Sequence, residues 1–162
     1  MKNSALIILV SCVLLGSCMK PSTNSNKKLD QISLITISRT PCFGTCPIYT
    51  LQIDKHCVAT LEAVDHLPNG LKGRYETNLP EKEWMKLIKK LEQMNYSSLE
   101  DTYGNRQISD LPSVISSISY EDGDMKKIDD YGARGNQELS ELYAYIDALI
   151  GTLDWESTDG NQ

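Results

Sequence analysis

Histidine is close to absent from this chain: His56 and His66 are the two in 162 residues. Also missing are a G-x-S-x-G elbow, an H-E-x-x-H helix, a Walker loop and a G-x-G-x-x-G turn. Their absence removes the sequence signatures of serine hydrolases, zinc proteases, phosphate-loop hydrolases and dinucleotide enzymes. His66 follows Asp65 in a predicted turn and has the chemistry of a general base, but a lone histidine there is more simply a solvated one. Basic charge is short as well, 16 Lys+Arg against 22 Asp+Glu, a net of −6. An acidic chain has no electrostatic hold on nucleic acid and is weakly repelled by anionic headgroups. The one marked apolar run, Ala5 to Leu15, falls short of the about 20 residues that a membrane-spanning helix needs.

That run does have the form of a secretory leader. Lys2 supplies the positive start, Ala5 to Leu15 the apolar centre, and Gly16-Ser17 the small residues at a cleavage site. Closing on Leu15-Gly16-Ser17-Cys18, it reads as a lipobox, with cleavage before Cys18 and lipid attached to that thiol, as in a bacterial lipoprotein. Leu9-Val10-Ser11-Cys12 has a similar form, but cleavage there leaves an apolar centre of about seven residues, at the lower limit. Loss of residues 1–17 removes Lys2 and takes the net charge from −6 to −7. Residues 18–28 are rich in Ser, Thr and Asn, with Pro21, Lys20, Lys27 and Lys28, a composition suited to a flexible tether. The expected location is the bacterial cell envelope. In a Gram-negative host it is the outer membrane, because Met19 stands where an aspartate would retain the protein in the inner one.

The domain itself spans 29–151, followed by a polar tail, 152–162, in which Trp155 is the residue suited to dock. Gln31 to Ser38 is β-branched with apolar residues on both faces, which fits a strand near the middle of a sheet. Ile48 to Asp54 alternates, with Tyr49, Leu51 and Ile53 inward. Cys57 to Ala63 continues after a turn at Lys55-His56, and Leu67-Pro68-Asn69-Gly70 leads into Gly73 to Thr77. Val114 to Tyr120 and Met125 to Tyr131 flank an Asp-Gly step and form a hairpin.

Two stretches carry the helical period instead. Asn78 and Glu81 are spaced as a capping box ahead of Trp84, Leu87, Ile88, Leu91 and Met94. Asn136 caps Leu139, Leu142, Tyr143, Ile146, Leu149 and Ile150, with Gly151 at the expected stop. The order predicts an α+β fold: an antiparallel sheet of about five or six strands with two amphipathic helices packed on one face.

The most constrained segment is Arg39-Thr40-Pro41-Cys42-Phe43-Gly44-Thr45-Cys46-Pro47, where prolines and a glycine bracket two cysteines between strands. Three chemistries are open there. An exported domain sits in an oxidising space, so a Cys42–Cys46 disulfide is the expectation. A redox pair is disfavoured by a spacing wider than that of thioredoxin-like motifs and by the lack of a helix at the first cysteine. A zinc site would draw on Cys42, Cys46, Cys57 and His56, yet His56 and Cys57 are neighbours that would face opposite sides of a strand. Pairing in the loop leaves Cys57 as the odd thiol, a small buried residue on the strand with Ala59 and Leu61, although a bond from it to either loop cysteine stays open.

Ser38 to Tyr49, with Ser109-Asp110-Leu111-Pro112 and Asp130-Tyr131-Gly132-Ala133 far downstream, resembles an uncharacterised family of bacterial envelope domains, a domain of unknown function. The resemblance covers Gln31 to Ile150. It implies a small α+β domain, often borne on a lipoprotein, and brings no activity, cofactor or catalytic residue with it. Lys55-His56-Cys57 departs from the Asp-Gly type turn usual in such chains. Arg39, Asp110 and Tyr131 fall at strand ends or loops in these motifs, so they are candidates for a polar pocket or docking patch at one end of the sheet, or for staples holding loops to it. Asp110 suits the start of a turn, or a buried pairing with Arg39. Asp129-Asp130 with Asp122 and Asp124 is too irregular for a calcium loop and is expected to be a solvated acidic hairpin.

The expected function is a lipid-anchored, non-catalytic binding or interaction module, with neither cofactor nor metal. Its partners are the membrane through the anchor and an envelope protein or small ligand, not nucleic acid. The alternative is a thiol-disulfide or metal-dependent envelope protein using Cys42 and Cys46.

Overall fold

The computed structural model describes residues 29–160. The leader, Cys18, the rest of the linking sequence and residues 161–162 lie outside the described residues. One sheet holds β1 (Ile32–Arg39), β2 (Ile48–Asp54), β3 (Val58–Asp65), β4 (Gly73–Asn78), β5 (Thr102–Tyr103), β6 (Ser113–Tyr120), β7 (Met125–Tyr131) and β8 (Glu156–Ser157). Their order is β5-β7-β6-β1-β2-β3-β4-β8, antiparallel throughout except between β5 and β7. The helices are α1 (Glu81–Gln93) and α2 (Gln137–Thr152).

The β-branched strand β1 lies mid-sheet, where Ile35 meets Ile53 and Ile118, and Ile37 meets Leu51 and Ser116. This face continues through Ala59 and Leu61 on β3 and Ile128 on β7, and joins Leu87 and Leu91 of α1 and Leu139, Leu142, Ile146 and Ile150 of α2 in one core. Each fully buried Leu or Ile contributes roughly 1.5–3 kcal/mol through removal from water. The other face carries polar residues, Thr36 and Thr60 half-buried and Gln52 and Glu76 exposed. Register aligns Thr36, Gln52, Thr60 and Glu76 across it, and Ser38 bonds Thr50 at 3.0 Å between hydroxyls.

The sheet is wider than the sequence suggests, because β5 and β8 are two residues each, too short to print a period. The expected Asn78 cap is replaced. Asn78 ends β4 against Val58, and the cap falls two residues later at Pro80, whose carbonyl accepts from the Glu83 and Trp84 amides at 2.8 and 3.1 Å. Asn136 does cap α2, its Oδ1 taking the Leu139 amide at 2.7 Å. That helix continues through Gly151 to Thr152, and the tail beyond it is tied down. Trp155 Nε1 donates to the Ile150 carbonyl at 2.9 Å, and β8 covers the outer edge of β4 through Tyr75 and Glu76.

Cys57 is not on the strand. It closes the β2–β3 turn, half-buried, with φ +62. Its amide bonds the Asp54 carbonyl at 3.0 Å, while Asp54 Oδ1 takes the His56 and Val58 amides at 2.8 and 2.9 Å. The aspartate thus builds the turn that an Asp-Gly step would otherwise make, and a cysteine occupies the left-handed position that favours glycine. Cys57→Gly is therefore expected to change stability by less than about 0.5 kcal/mol, since lost strain offsets lost packing. Cys57→Val, β-branched at a left-handed position, is expected to cost about 1–2 kcal/mol. Urea denaturation of the two variants measures both, and a Val variant as stable as the parent contradicts the left-handed assignment.

Candidate functional site

The loop of residues 40–47 is fastened to its surroundings at several points. Thr40 Oγ1 takes the Ser113 amide at 2.7 Å, and the Thr40 amide donates to the Ser113 carbonyl at 3.0 Å. Cys42 and Cys46 are disulfide-bonded, with Cα atoms 5.9 Å apart. The Phe43 amide donates to the Asp110 carbonyl at 3.5 Å, joining this loop to the one before β6. Between the two bonded cysteines Phe43 stands 94 % exposed, with Ile108 and Leu111 of the second loop 53 % and 38 % exposed.

Tyr131 organises that second loop. Its hydroxyl donates to the Ile108 carbonyl at 2.7 Å and accepts from the Leu111 amide at 3.3 Å. Arg106 lies over its ring at 4.9 Å and pairs with Asp129 at 2.5 Å. Asp110 takes φ +64 and turns the chain toward Leu111-Pro112.

Below this end lies a second constellation, on the core face. Arg39 ends β1 opposite Tyr49 of β2. Its Nε and Nη2 donate to Asp147 Oδ1 and Oδ2 of α2 at 2.9 and 2.5 Å, a two-pronged pairing of guanidinium with carboxylate. The Tyr49 hydroxyl donates to the same Oδ1 at 2.6 Å. One helical turn earlier, the Tyr143 ring lies 5.8 Å from the Arg39 guanidinium carbon. Burial opposes the arginine charge, but Tyr49 and Asp147 together outweigh it and raise the pKa above the ordinary arginine value. Burial, then the Asp147 charge, pushes the Tyr49 hydroxyl far above the ordinary tyrosine range, so it remains a donor.

Nearby, Asp130 is fully buried and its carboxylate takes the Arg134 and Gly135 amides at 3.1 and 2.9 Å. This holds the turn in which Gly132 and Ala133 are left-handed. The Tyr143 hydroxyl is buried and, among the described residues, has no partner at hydrogen-bonding geometry; burial, then the nearby Asp130 carboxylate, raises its pKa strongly.

Arg39, Asp110 and Tyr131 thus sit at one end of the sheet but do not converge as side chains. Arg39 faces the helices, whereas Tyr131, paired with Ser113, belongs to the opposite face. Arg39 takes Asp147, not Asp110, whose residue stays exposed. The cysteines and His56 do not gather either: Cys57 and His56 are in the turn at the far end of β2, away from the disulfide. Asp130 is no solvated hairpin residue, and its alternation with Ile128 on β7 was the signal for burial. Asp147 lacked such a signal beyond its place four residues after Tyr143, beside an apolar stripe. His66 is a half-exposed turn residue 3.6 Å from Asp65, a carboxylate that also binds Lys72 at 2.8 Å.

Asp147 receives three donors on two oxygens, an arrangement that holds α2 against the sheet instead of moving protons. Arg39→Met is expected to cost about 2–3 kcal/mol by stranding a half-buried carboxylate, and Arg39→Lys to recover about half, because lysine lacks the fork. Chemical denaturation of both variants measures this. The raised tyrosines set a pH limit. Their folded pKa values exceed the unfolded value of about 10, so the stability they confer is complete below pH ~10 and lost as pH rises further. Stability should be level to about pH 9.5 and then fall, with Tyr49→Phe reducing the slope by about one proton. A Phe variant with an unchanged slope refutes the assignment.

No curated protein and no solved structure matches the chain. A family model does, over residues 33–150, which include all of β1 but Ile32, β2 to β7, the disulfide loop and the Arg39–Asp147 pair. The chain belongs to the family described as Domain of unknown function (DUF6438).

Proposed function

We propose that the protein is a lipid-anchored component of the bacterial envelope, held through Cys18, whose domain is a non-catalytic module docking another envelope protein at the Cys42–Cys46 end of the sheet. The observation that carries the reading is Phe43, the chain's single phenylalanine, 94 % exposed on a loop that cannot easily fold it away. One exposed apolar residue is ordinary. This one stands with Ile108 and Leu111 on a backbone fixed by a disulfide, two prolines and bonds to Ser113 and Asp110. Binding by a pre-ordered aromatic avoids most of the entropy cost that a mobile loop would incur. Arg106 and Asp110 give the patch a polar rim, as interfaces commonly have. In this reading Tyr131 and Arg39 are positioning residues beneath it, one shaping the second loop and the other fixing the end of β1. The anchor is supported by the Leu15-Gly16-Ser17-Cys18 motif and its apolar leader.

A photo-crosslinking residue at position 43 in intact cells tests the docking, with position 125 in the hairpin at the opposite end as control. Position 43 is expected to give a discrete protein adduct and position 125 none. Cys42→Ser/Cys46→Ser should lower domain stability by about 2 kcal/mol and weaken the adduct by about tenfold as the loop loosens. No discrete adduct from positions 43, 108 or 111 sinks the docking reading. A pair that opens and re-forms readily under mild thiol buffers favours the redox alternative instead.

A further inference from the structure

The outer face of α1 breaks the charge pattern of the molecule. Residues 29–162 contain all 22 Asp+Glu and 12 of the 16 Lys+Arg, a net of −10. Helix α1 has four lysines against three glutamates. Lys82, Lys86 and Lys89 are all exposed and, at spacings of three and four, share one face with Met85, which is 59 % exposed. With Ile88 and Glu92, these side chains line a shallow groove of about 600 Å³ whose other border is Leu29 and Asp30, so three lysines there face two carboxylates at the point where the linking sequence enters the domain. Lys86 shares its charge with Glu83 at 2.7 Å, so Lys82 and Lys89 exert most of the pull.

We infer that this face lies against an anionic phospholipid surface. The inference rests on the proposed lipid at Cys18, and it adds the second contact that durable anchoring commonly uses. Ten residues separate Cys18 from Leu29, which at about 3.3–3.6 Å per residue keeps the groove within roughly 40 Å of the lipidated cysteine. That linking sequence has Lys20, Lys27 and Lys28 and no acid between Cys18 and Leu29, so its charge is of the same sign as that of the α1 lysines, with Asp30 between them. Met85 and the half-buried Ile88 supply apolar contact at headgroup depth, while the lysine stems lie along it with their ammonium groups at the phosphates. The Phe43 loop stands at the far end of β1 from this entry, clear of the surface.

The test uses the mature lipidated protein in vesicles of phosphatidylcholine alone or with about one-third phosphatidylglycerol. A water-soluble acylating reagent then reads lysine accessibility. Lys82 and Lys89 should label at least about threefold more slowly on the anionic vesicles, with exposed Lys127 unchanged and the difference abolished in high salt. Lys82→Glu/Lys89→Glu should reach the same residual accessibility at Lys86 in both vesicles. Equal labelling in the two compositions overturns the inference, as does protection that arises on native membranes and not on pure lipid, which would place a protein there. Flotation separates the underlying reading. A protein that fails to float with neutral vesicles lacks the anchor, and in that case salt-sensitive flotation with anionic vesicles still supports the basic face while its absence refutes it.

Discussion

The Arg39 guanidinium in its fork with Asp147 is the contact on which the architecture turns. It joins the last residue of the central strand to the final third of α2, across 108 residues of sequence. Tyr49 completes it from β2. Fixing this corner aligns α2 across β1 and β2, and so seats Ile146 and Ile150 in the core. It also fixes where β1 stops and the proline-bracketed loop begins. Partial burial strengthens the interaction by lowering the local dielectric, and the same burial makes a missing partner costly.

From that corner the disulfide loop gains its fixed position, and the second loop gains its own from Tyr131 and the Asp130 turn. Gly104 shows how closely these parts are set: a Cβ there would lie 1.9 Å from the Tyr131 carbonyl oxygen, at φ +91. β5 can reach β7 in parallel register because residue 104 has no side chain. The end of the sheet is therefore stiff, and stiffness is what makes an exposed phenylalanine there suited to recognition.

Period-based reading served where a strand or helix was long. The central place of β1 followed from its β-branched run, although only one of its faces is the apolar core and Thr36 and Ser38 are on the other; Asn136 was identifiable as a cap because a helix start needs a side-chain acceptor. It failed where one residue had two competing uses. Asn78 has the chemistry of a cap but was claimed by the β4 ladder, and Pro80 began the helix instead. Cys57 looked like a strand residue because nothing local reveals that the Asp54 side chain closes the turn before it. Asp147 and Arg39 are far apart in sequence, and long-range pairing of charges leaves no local pattern to read. The disulfide was legible from the spacing together with an expectation of export, and the structure forms it.

Charge asymmetry would let one acidic domain both approach a lipid surface and present a partner site, as proposed. A net charge summed over the chain predicts repulsion from anionic headgroups, but that sum is a far-field quantity. Within a Debye length of about 8–10 Å the surface would see the lysines of α1 first, although the acidic β6–β7 turn is at the same end of β1, its Glu121 amide bonding the Gln31 carbonyl at 2.8 Å. Lys126 shows the contrast, since it is consumed by Asp101 and the Leu99 carbonyl and adds nothing outward. A lipid at Cys18 would select the α1 face by proximity, the lysines would hold it there, and the acidic remainder would be kept off the membrane. On that proposal, orientation would follow from the order of the sequence: attachment, basic linker, α1 beside the entry to β1, and the braced phenylalanine at the other end of the same strand.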